Sequence, residues 1–278
     1  MTDAAFQKES GRTSPDEIAA LKRRIDDIAT FEKHERPWYK DTGLTISAAA
    51  FFISLMTTAF SWYHTYRQDV AALQTQLRAT LQQVNDMALL NLELPTKYKD
   101  NQELLLNVSS TLNTQNTMLA QQAYSIAKAL GNSASAMQLT AAAYALISSG
   151  QYGLAIELLQ SAMERATNSN EYSSAARTLA ATQYQNGQKA EAVATFKNVV
   201  QMFDRFPNEA KYGSYVDFSQ AYSRIFWTGV VIAADCRLAK ETLGEINQYM
   251  PRLAANSPQV MAIQSQITKY NTALSGCQ

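Results

Sequence analysis

Residues 137–162 read MQLTAAAYALISSGQYGLAIELLQSA, and residues 174–199 read SAARTLAATQYQNGQKAEAVATFKNV. An offset of 37 residues sets small residues against small ones and bulky against bulky: Gly150 against Gly187, Ala155 against Ala192, and Leu159 against Phe196. Each segment predicts two helices joined by a short turn at its glycine, because small residues let helices approach and bulky ones fill the gap beside them. The repeat therefore indicates stacked helix pairs.

These helix pairs resemble the tetratricopeptide repeat family. Signature positions of that family are occupied in the first copy by Leu139, Ala142, Ala143, Leu146, Gly150, Tyr152, Ala155, Leu159 and Ala162, and in the second by Leu179, Ala180, Gly187, Ala192, Phe196 and Val199. A third pair, with Ala239, Leu243 and Pro251 in its second helix and a first helix from about 209 to 233, is expected to follow, and a last helix from Ser257 would cover it. The resemblance implies an all-α solenoid over residues 95–278. A generic helical bundle is the alternative.

The resemblance also implies a concave groove, lined by the first helix of each pair, that binds a peptide or a partner helix. The matching groove positions are Thr140, Tyr144 and Ile147 in the first copy and Arg177, Ala181 and Tyr184 in the second. Tyr144, Arg177 and Tyr184 are the best candidates, because Tyr and Arg combine contact area with directional polar groups. The same side chains could instead be ordinary exposed helix residues.

An aromatic run follows the repeats, at Tyr212, Tyr215, Phe218, Tyr222, Phe226 and Trp227. Residues 215, 218, 222 and 226 fall on one helical face, which is typical of a core stripe. The alternative is a ligand pocket or a contact for another subunit, for which Trp227 is the candidate partner-binding residue.

A membrane span is predicted at residues 43–63, since no Asp, Glu, Lys or Arg occurs from Thr42 to Tyr66. Its length as a helix is about 31 Å, which matches a hydrocarbon core of about 30 Å. Interfacial rings bracket the run, namely Trp38 and Tyr39 before it and Trp62, Tyr63 and Tyr66 at its end. A buried core helix is the alternative, because seven Ser and Thr residues weaken the hydrophobicity. A cleaved signal peptide fits worse, because about 40 residues of helix-capable sequence that contains many charges precede the run.

Basic residues before the span outnumber those after it: Arg23, Arg24, Lys33, Arg36 and Lys40 against Arg67 and Arg78. This bias predicts a cytoplasmic N-terminus and a periplasmic or otherwise extracytoplasmic C-terminal domain, in the cell inner membrane. In that compartment Cys236 and Cys277 form either a disulfide or two thiols, and the spacing does not decide between them.

Residues 1–13 are predicted to be disordered, and a cytoplasmic helix is predicted within 14–42, with an N-terminal signature at Ser14, Pro15 and Glu17. Its apolar residues, Ile18, Leu21, Ile25 and Ile28, suit a short coiled coil or an amphipathic helix on the membrane face. Residues 64–94 predict a helical stalk that ends before Pro95. Its seam through Val70, Leu73, Leu77, Thr80 and Val84 favours a coiled-coil homo-oligomer over packing on the distal domain.

Catalytic signatures are absent from the sequence. It has no P-loop, no dinucleotide-binding turn, no nucleophile elbow and no paired-cysteine motif. His34 and His64, the only histidines, lie on opposite sides of the predicted span and therefore cannot form one metal site. The 24 basic and 24 acidic residues give a net charge of zero, so no positive surplus attracts nucleic acid. We expect no enzyme, no cofactor and no metal site. The leading hypothesis is a membrane-anchored scaffold that binds a protein partner in its groove, followed by a structural subunit of a larger complex and by a ligand sensor that signals through the anchor.

Overall fold

The computed structural model describes residues 15–32, 42–253 and 257–276, and within these ranges every regular element is a helix. The predicted all-α class is therefore confirmed. The chain divides into two compact units, Met1–Arg67 and Gln68–Gln278.

Twelve α-helices occupy the described ranges: α1 (Pro15–Glu32), α2 (Thr42–Lys97), α3 (Gln102–Leu130), α4 (Ala136–Ser148), α5 (Tyr152–Arg165), α6 (Ser169–Gln185), α7 (Lys189–Val200), α8 (Met202–Arg205), α9 (Pro207–Ala210), α10 (Gly213–Val231), α11 (Cys236–Ile246) and α12 (Pro258–Leu274). Short 3-10 turns follow α3 and α11, at Gly131–Ser133 and Met250–Arg252.

The first unit contains α1 and the N-terminal part of α2. In α1, Leu21 and Ile25 are exposed. From Ile46 onward α2 contains an 18-residue window with a mean hydropathy of 1.4, none of it buried, so this segment is not a core helix of its own chain. Among the described residues it is the one helix that is long and apolar enough to cross a membrane.

Two threonine hydroxyls within this apolar segment are satisfied by its own backbone. Thr57 and Thr58 each donate a hydrogen bond of 2.8 Å to the carbonyl four residues earlier. Polar side chains bonded in this way carry no open donor into an apolar environment. The predicted disordered segment 1–13, the N-cap Ser14 and the interfacial rings of Trp38 and Tyr39 lie outside the described residues.

The second unit begins at Gln68, so it includes most of the segment that the sequence assigned to a separate stalk. Leu77 is fully buried and Val84 is partly buried against the same core, and the amide of Gln74 donates to the Ser133 carbonyl at 3.3 Å. The turn that follows α3 therefore contacts α2. Helix α2 continues through Pro95 to Lys97, past the stalk end predicted at Leu94; in the last turn a proline forfeits only one helical hydrogen bond.

Three antiparallel helix pairs make up the body of the second unit: α4 with α5, α6 with α7, and α10 with α11. Helix α5 also packs on α6, while α10 packs on α6 and α7. The stack is covered by α3 against α4 at one end and by α12 against α10 and α11 at the other. Each stacked pair thus buries a face that it could not bury alone.

The turns inside the first two pairs are equivalent. Gly150 and Gly187 have φ angles of 75° and 84°, in the left-handed region that favours glycine. The next backbone N–H reaches back five residues in both turns, from Gln151 to Leu146 at 2.9 Å and from Gln188 to Gln183 at 2.8 Å. The 37-residue offset thus corresponds to a repeated turn geometry.

The third pair departs from its predicted bounds. The single first helix expected from about 209 to 233 is replaced by the short α9 and by the 19-residue α10, which begins at Gly213. At the start of α11, Cys236 is disulfide-bonded. Cys277 lies outside the described residues, so the pairing of the two cysteines stays a prediction.

Candidate partner-binding groove

A surface cavity of about 260 Å³ lies between the first helices of the first two pairs. Residues of α4 form one wall and residues of α6 the other, and we call this cavity the α4–α6 groove. Its lining consists of Met137, Thr140, Ala141, Tyr144, Asn170, Glu171, Ser174 and Arg177. Three of the seven partner-binding candidates drawn from the sequence, Thr140, Tyr144 and Arg177, therefore share one cavity.

Arg177 is the single basic residue of this lining. Its guanidinium donates from Nη1 to Ser223 Oγ at 3.2 Å, and its Cζ lies 4.9 Å from the centre of the Tyr222 ring. Burial lowers the pKa of Arg177 from its usual value, and the neighbouring hydroxyls of Tyr222, Tyr144 and Tyr215 counteract this in part. An arginine stays charged under such conditions, so the groove contains a partly desolvated cation.

Arg224, which is buried, differs from Arg177 in that its guanidinium is paired with a carboxylate within the protein. Arg224 donates to the carboxylate of Glu245 at 2.8 Å and to the side-chain oxygen of Gln220 at 2.6 Å. Arg177 takes part in none of the three ion pairs among the described residues. Charges that are removed from water are normally paired, and the partly buried Arg177 guanidinium has no carboxylate partner among the described residues.

Tyr144 provides the exposed aromatic surface of the groove. Its side chain is 52% exposed, while its hydroxyl lies 2.8 Å from Thr178 Oγ1. Thr178 donates its own hydroxyl hydrogen to the Ser174 carbonyl at 2.8 Å, so Tyr144 must be the donor in the first bond. The ring is thereby fixed, and the hydroxyl oxygen remains an acceptor.

The remaining predicted groove residues do not line the cavity. Ile147 packs against the core and Ala181 is half-buried on α6. Tyr184 is 8% exposed, and its hydroxyl has no hydrogen-bond partner among the described residues. Burial, more than the nearby Asp235 carboxylate, raises the pKa of Tyr184.

Trp227 lies in the core, with one edge on a cavity of about 370 Å³. It is 1% exposed, stacks on Phe196 with ring centres 5.0 Å apart, and meets Tyr184 edge-on at 5.7 Å. This aromatic cluster joins α6, α7 and α10, and so ties the second pair to the third.

The predicted aromatic stripe on α10 is not its core face. Tyr215, Phe218 and Phe226 are partly exposed, and Tyr222 is 43% exposed. The buried face contains small residues such as Ser219 and Ser223, which let α10 approach α6 closely. The sequence singled out Tyr222 but gave no sign that it lies beside Arg177, because that contact depends on the register of two helices from different pairs.

No group of three or more His, Cys, Asp or Glu residues within the described ranges could hold a metal ion. No protein-family model, no curated protein and no solved structure matches the chain. The structure defines its class as an all-helical protein of packed helix pairs with one long, exposed apolar helix.

Proposed function

We propose that this protein is a membrane-anchored adaptor that binds a segment of a partner protein in the α4–α6 groove of a tetratricopeptide-like domain. The observation that carries the proposal is that exposed Tyr144 and partly buried Arg177 line one cavity, while the exposed Tyr222 ring contacts the Arg177 guanidinium, which forms no ion pair among the described residues. Exposed aromatic residues around a desolvated arginine are typical of the residues that dominate binding energy at protein interfaces.

The repeat geometry supports the tetratricopeptide-like assignment. The first helices α4, α6 and α10 neighbour one another, as a shared inner face requires, and the equivalent turns at Gly150 and Gly187 recur at the 37-residue offset. Apolar α2 supports an anchor in the inner membrane, and the basic residues that precede it support a cytoplasmic N-terminus. The helix pairs would then face the periplasm.

Affinity purification of the full-length protein from its native membrane in mild detergent, with quantitative mass spectrometry, tests the adaptor function. We expect Tyr144→Ala to deplete specific co-purifying proteins, because it removes the exposed aromatic side chain that lines the groove. Tyr212→Ala is the matched control, since Tyr212 is 58% exposed but does not line the groove. Equal depletion by both variants, or by neither, would exclude the groove as the partner site.

A structural subunit of a larger complex is the second candidate, and exposed leucines favour it. Five of them flank the turn between α2 and α3: Leu89, Leu90, Leu92, Leu104 and Leu106. Clustered exposed apolar residues usually mark a contact surface. In the same purification this function predicts partners in a fixed ratio to the protein that are retained by Tyr144→Ala and lost when leucines of this cluster are replaced by Ser.

A further inference from the structure

We propose that the α4–α6 groove selects an acidic side chain, so that the Arg177 guanidinium receives the carboxylate of an Asp or Glu within a partner segment. This inference rests on the proposed adaptor function and specifies the chemistry of what the groove takes.

The guanidinium has the donors for such a bond. Arginine carries five N–H donors in one plane, and one of them is engaged by Ser223 Oγ. The Tyr222 ring contacts the guanidinium at 4.9 Å as a cation–π pair, which occupies a face and leaves the in-plane N–H groups for other partners. A carboxylate can accept two parallel bonds from that edge.

Carboxylates close to the groove are already engaged elsewhere. Glu171, on the groove wall, accepts from the Thr167 backbone N–H at 2.9 Å and from the Thr167 hydroxyl at 3.0 Å. Glu209 accepts from the backbone N–H and the hydroxyl of Ser169, at the start of α6. Neither is ion-paired with Arg177, so a ligand carboxylate would supply the missing counter-charge.

The rest of the lining suits the methylene part of an acidic side chain and its neighbours. Met137 is 69% exposed, and Ala141 and the ring of Tyr144 add apolar surface beside it. A cavity of about 260 Å³ has room for one side chain of a partner, not for a folded element.

Helical backbone along both walls favours a side-chain carboxylate over a chain terminus. Terminal carboxylates are usually captured by clusters of open backbone N–H groups. Every residue that lines the groove lies within α4 or α6, and near the start of α6 the N–H of Glu171 is bonded to Asn168 Oδ1 at 2.9 Å. The available recognition group is therefore the arginine side chain.

An array of synthetic nonapeptides tests the inference against the full-length protein in mild detergent. Each peptide is acetylated and amidated, has a central Glu with uncharged residues elsewhere, and is paired with a twin that has Gln at the centre. A third version of each Gln peptide has a free C-terminal carboxylate. Wild type, Arg177→Gln and Tyr144→Ala are compared, with Arg237→Gln as a control that removes one exposed positive charge away from the groove.

We expect a subset of Glu peptides to bind wild type about tenfold or more tightly than their Gln twins, as a charge-assisted bond predicts. Arg177→Gln should abolish this preference, whereas Arg237→Gln should keep it. Equal binding of the twins, or a preference that survives Arg177→Gln, would overturn the inference.

Two other outcomes separate this inference from the proposed function. Binding that Tyr144→Ala abolishes, but that does not distinguish Glu from Gln, would leave the adaptor groove standing and remove its acid selectivity. Stronger binding of the free-carboxylate peptides than of their amidated twins would assign Arg177 to chain termini and overturn the side-chain proposal. If no peptide binds wild type, both the groove function and its selectivity fail.

Discussion

The guanidinium carbon of Arg177 lies 4.9 Å from the centre of the Tyr222 ring, and this contact links α6 of the second helix pair to α10 of the third. Because Tyr222 is also 43% exposed, the pair forms part of the surface as well as a link between pairs. Arg177 is therefore the candidate partner-binding residue and also a contact that stabilises the stack of helix pairs.

Replacing partly buried Arg177 and buried Arg224 should have unequal effects on stability. Arg177→Gln loses one hydrogen bond and one ring contact, so we expect the free energy of unfolding to fall by about 1 kcal/mol or less. Arg224→Gln breaks the ion pair with Glu245 and should cost about 2–4 kcal/mol. Urea unfolding in mild detergent, followed by near-ultraviolet circular dichroism, measures both. Equal losses would mean that Arg177 serves the fold as Arg224 does.

The repeated turns predict a matched pair of glycine effects. Gly150→Ala and Gly187→Ala each force a side chain into a left-handed conformation and should cost about 1–2 kcal/mol, although nothing lies within 4 Å of either added Cβ. Gly153→Ala, at the start of α5 and equally uncrowded, should instead be neutral or stabilise by about 0.5 kcal/mol. Chemical denaturation of the three variants decides the matter, and a large difference between the first two would refute their equivalence.

The aromatic residues of α10 should divide into core and surface. Trp227→Ala removes a side chain that is 1% exposed and stacked on Phe196, and we expect a loss of about 3–5 kcal/mol. Tyr222→Ala, at 43% exposure, should cost about 1 kcal/mol or less. Thermal unfolding of the full-length variants distinguishes them, and a stable Trp227→Ala protein would contradict the core assignment.

Local signals were enough to predict much of this fold. The turn glycines 150 and 187, the small residues that match across the repeat and the uncharged run after Thr42 each act through short-range physics, so spacing alone reveals the helix pairs and the long apolar helix. Thr140, Tyr144 and Arg177 were found through a family resemblance, which supplied the helix faces that periodicity leaves open.

Long-range packing explains what the sequence did not reveal. On α10, periodicity groups the large rings together, but close approach to α6 requires small residues, so Ser219 and Ser223 are buried while Tyr222 remains exposed. The Tyr184 side chain is buried because Trp227, more than forty positions away in the sequence, packs against its ring. Neither result follows from one helix considered alone.

Acid should weaken one contact between α3 and α5. Lys128 and then Tyr124, whose hydroxyl donates to Glu157 at 2.7 Å, lower the pKa of Glu157 by hydrogen bonding to its carboxylate. A carboxylate whose pKa is lower in the folded protein stabilises it above the unfolded-state pKa, and this contribution is lost as the pH falls through the folded-state pKa. We expect the stability difference between wild type and Glu157→Gln to shrink as the pH falls below the ordinary glutamate pKa of about 4.3. A difference independent of pH would contradict this; the effect should be small because the pair is largely exposed.

Two leucines of α2 test whether its seam serves the fold or self-association. Leu77 is fully buried in the second unit, so Leu77→Ala should lower the free energy of unfolding by about 2.7–5 kcal/mol. Leu92 is 77% exposed, and Leu92→Ala should change it by about 0.5 kcal/mol or less. Urea unfolding and analytical ultracentrifugation in detergent measure stability and oligomeric state separately.

If Leu77→Ala dissociated an oligomer without destabilising the fold, the seam would belong to a coiled coil between chains. If Leu92→Ala alone dissociated one, the exposed leucines near the α2–α3 turn would be the contact surface, as the structural-subunit alternative requires.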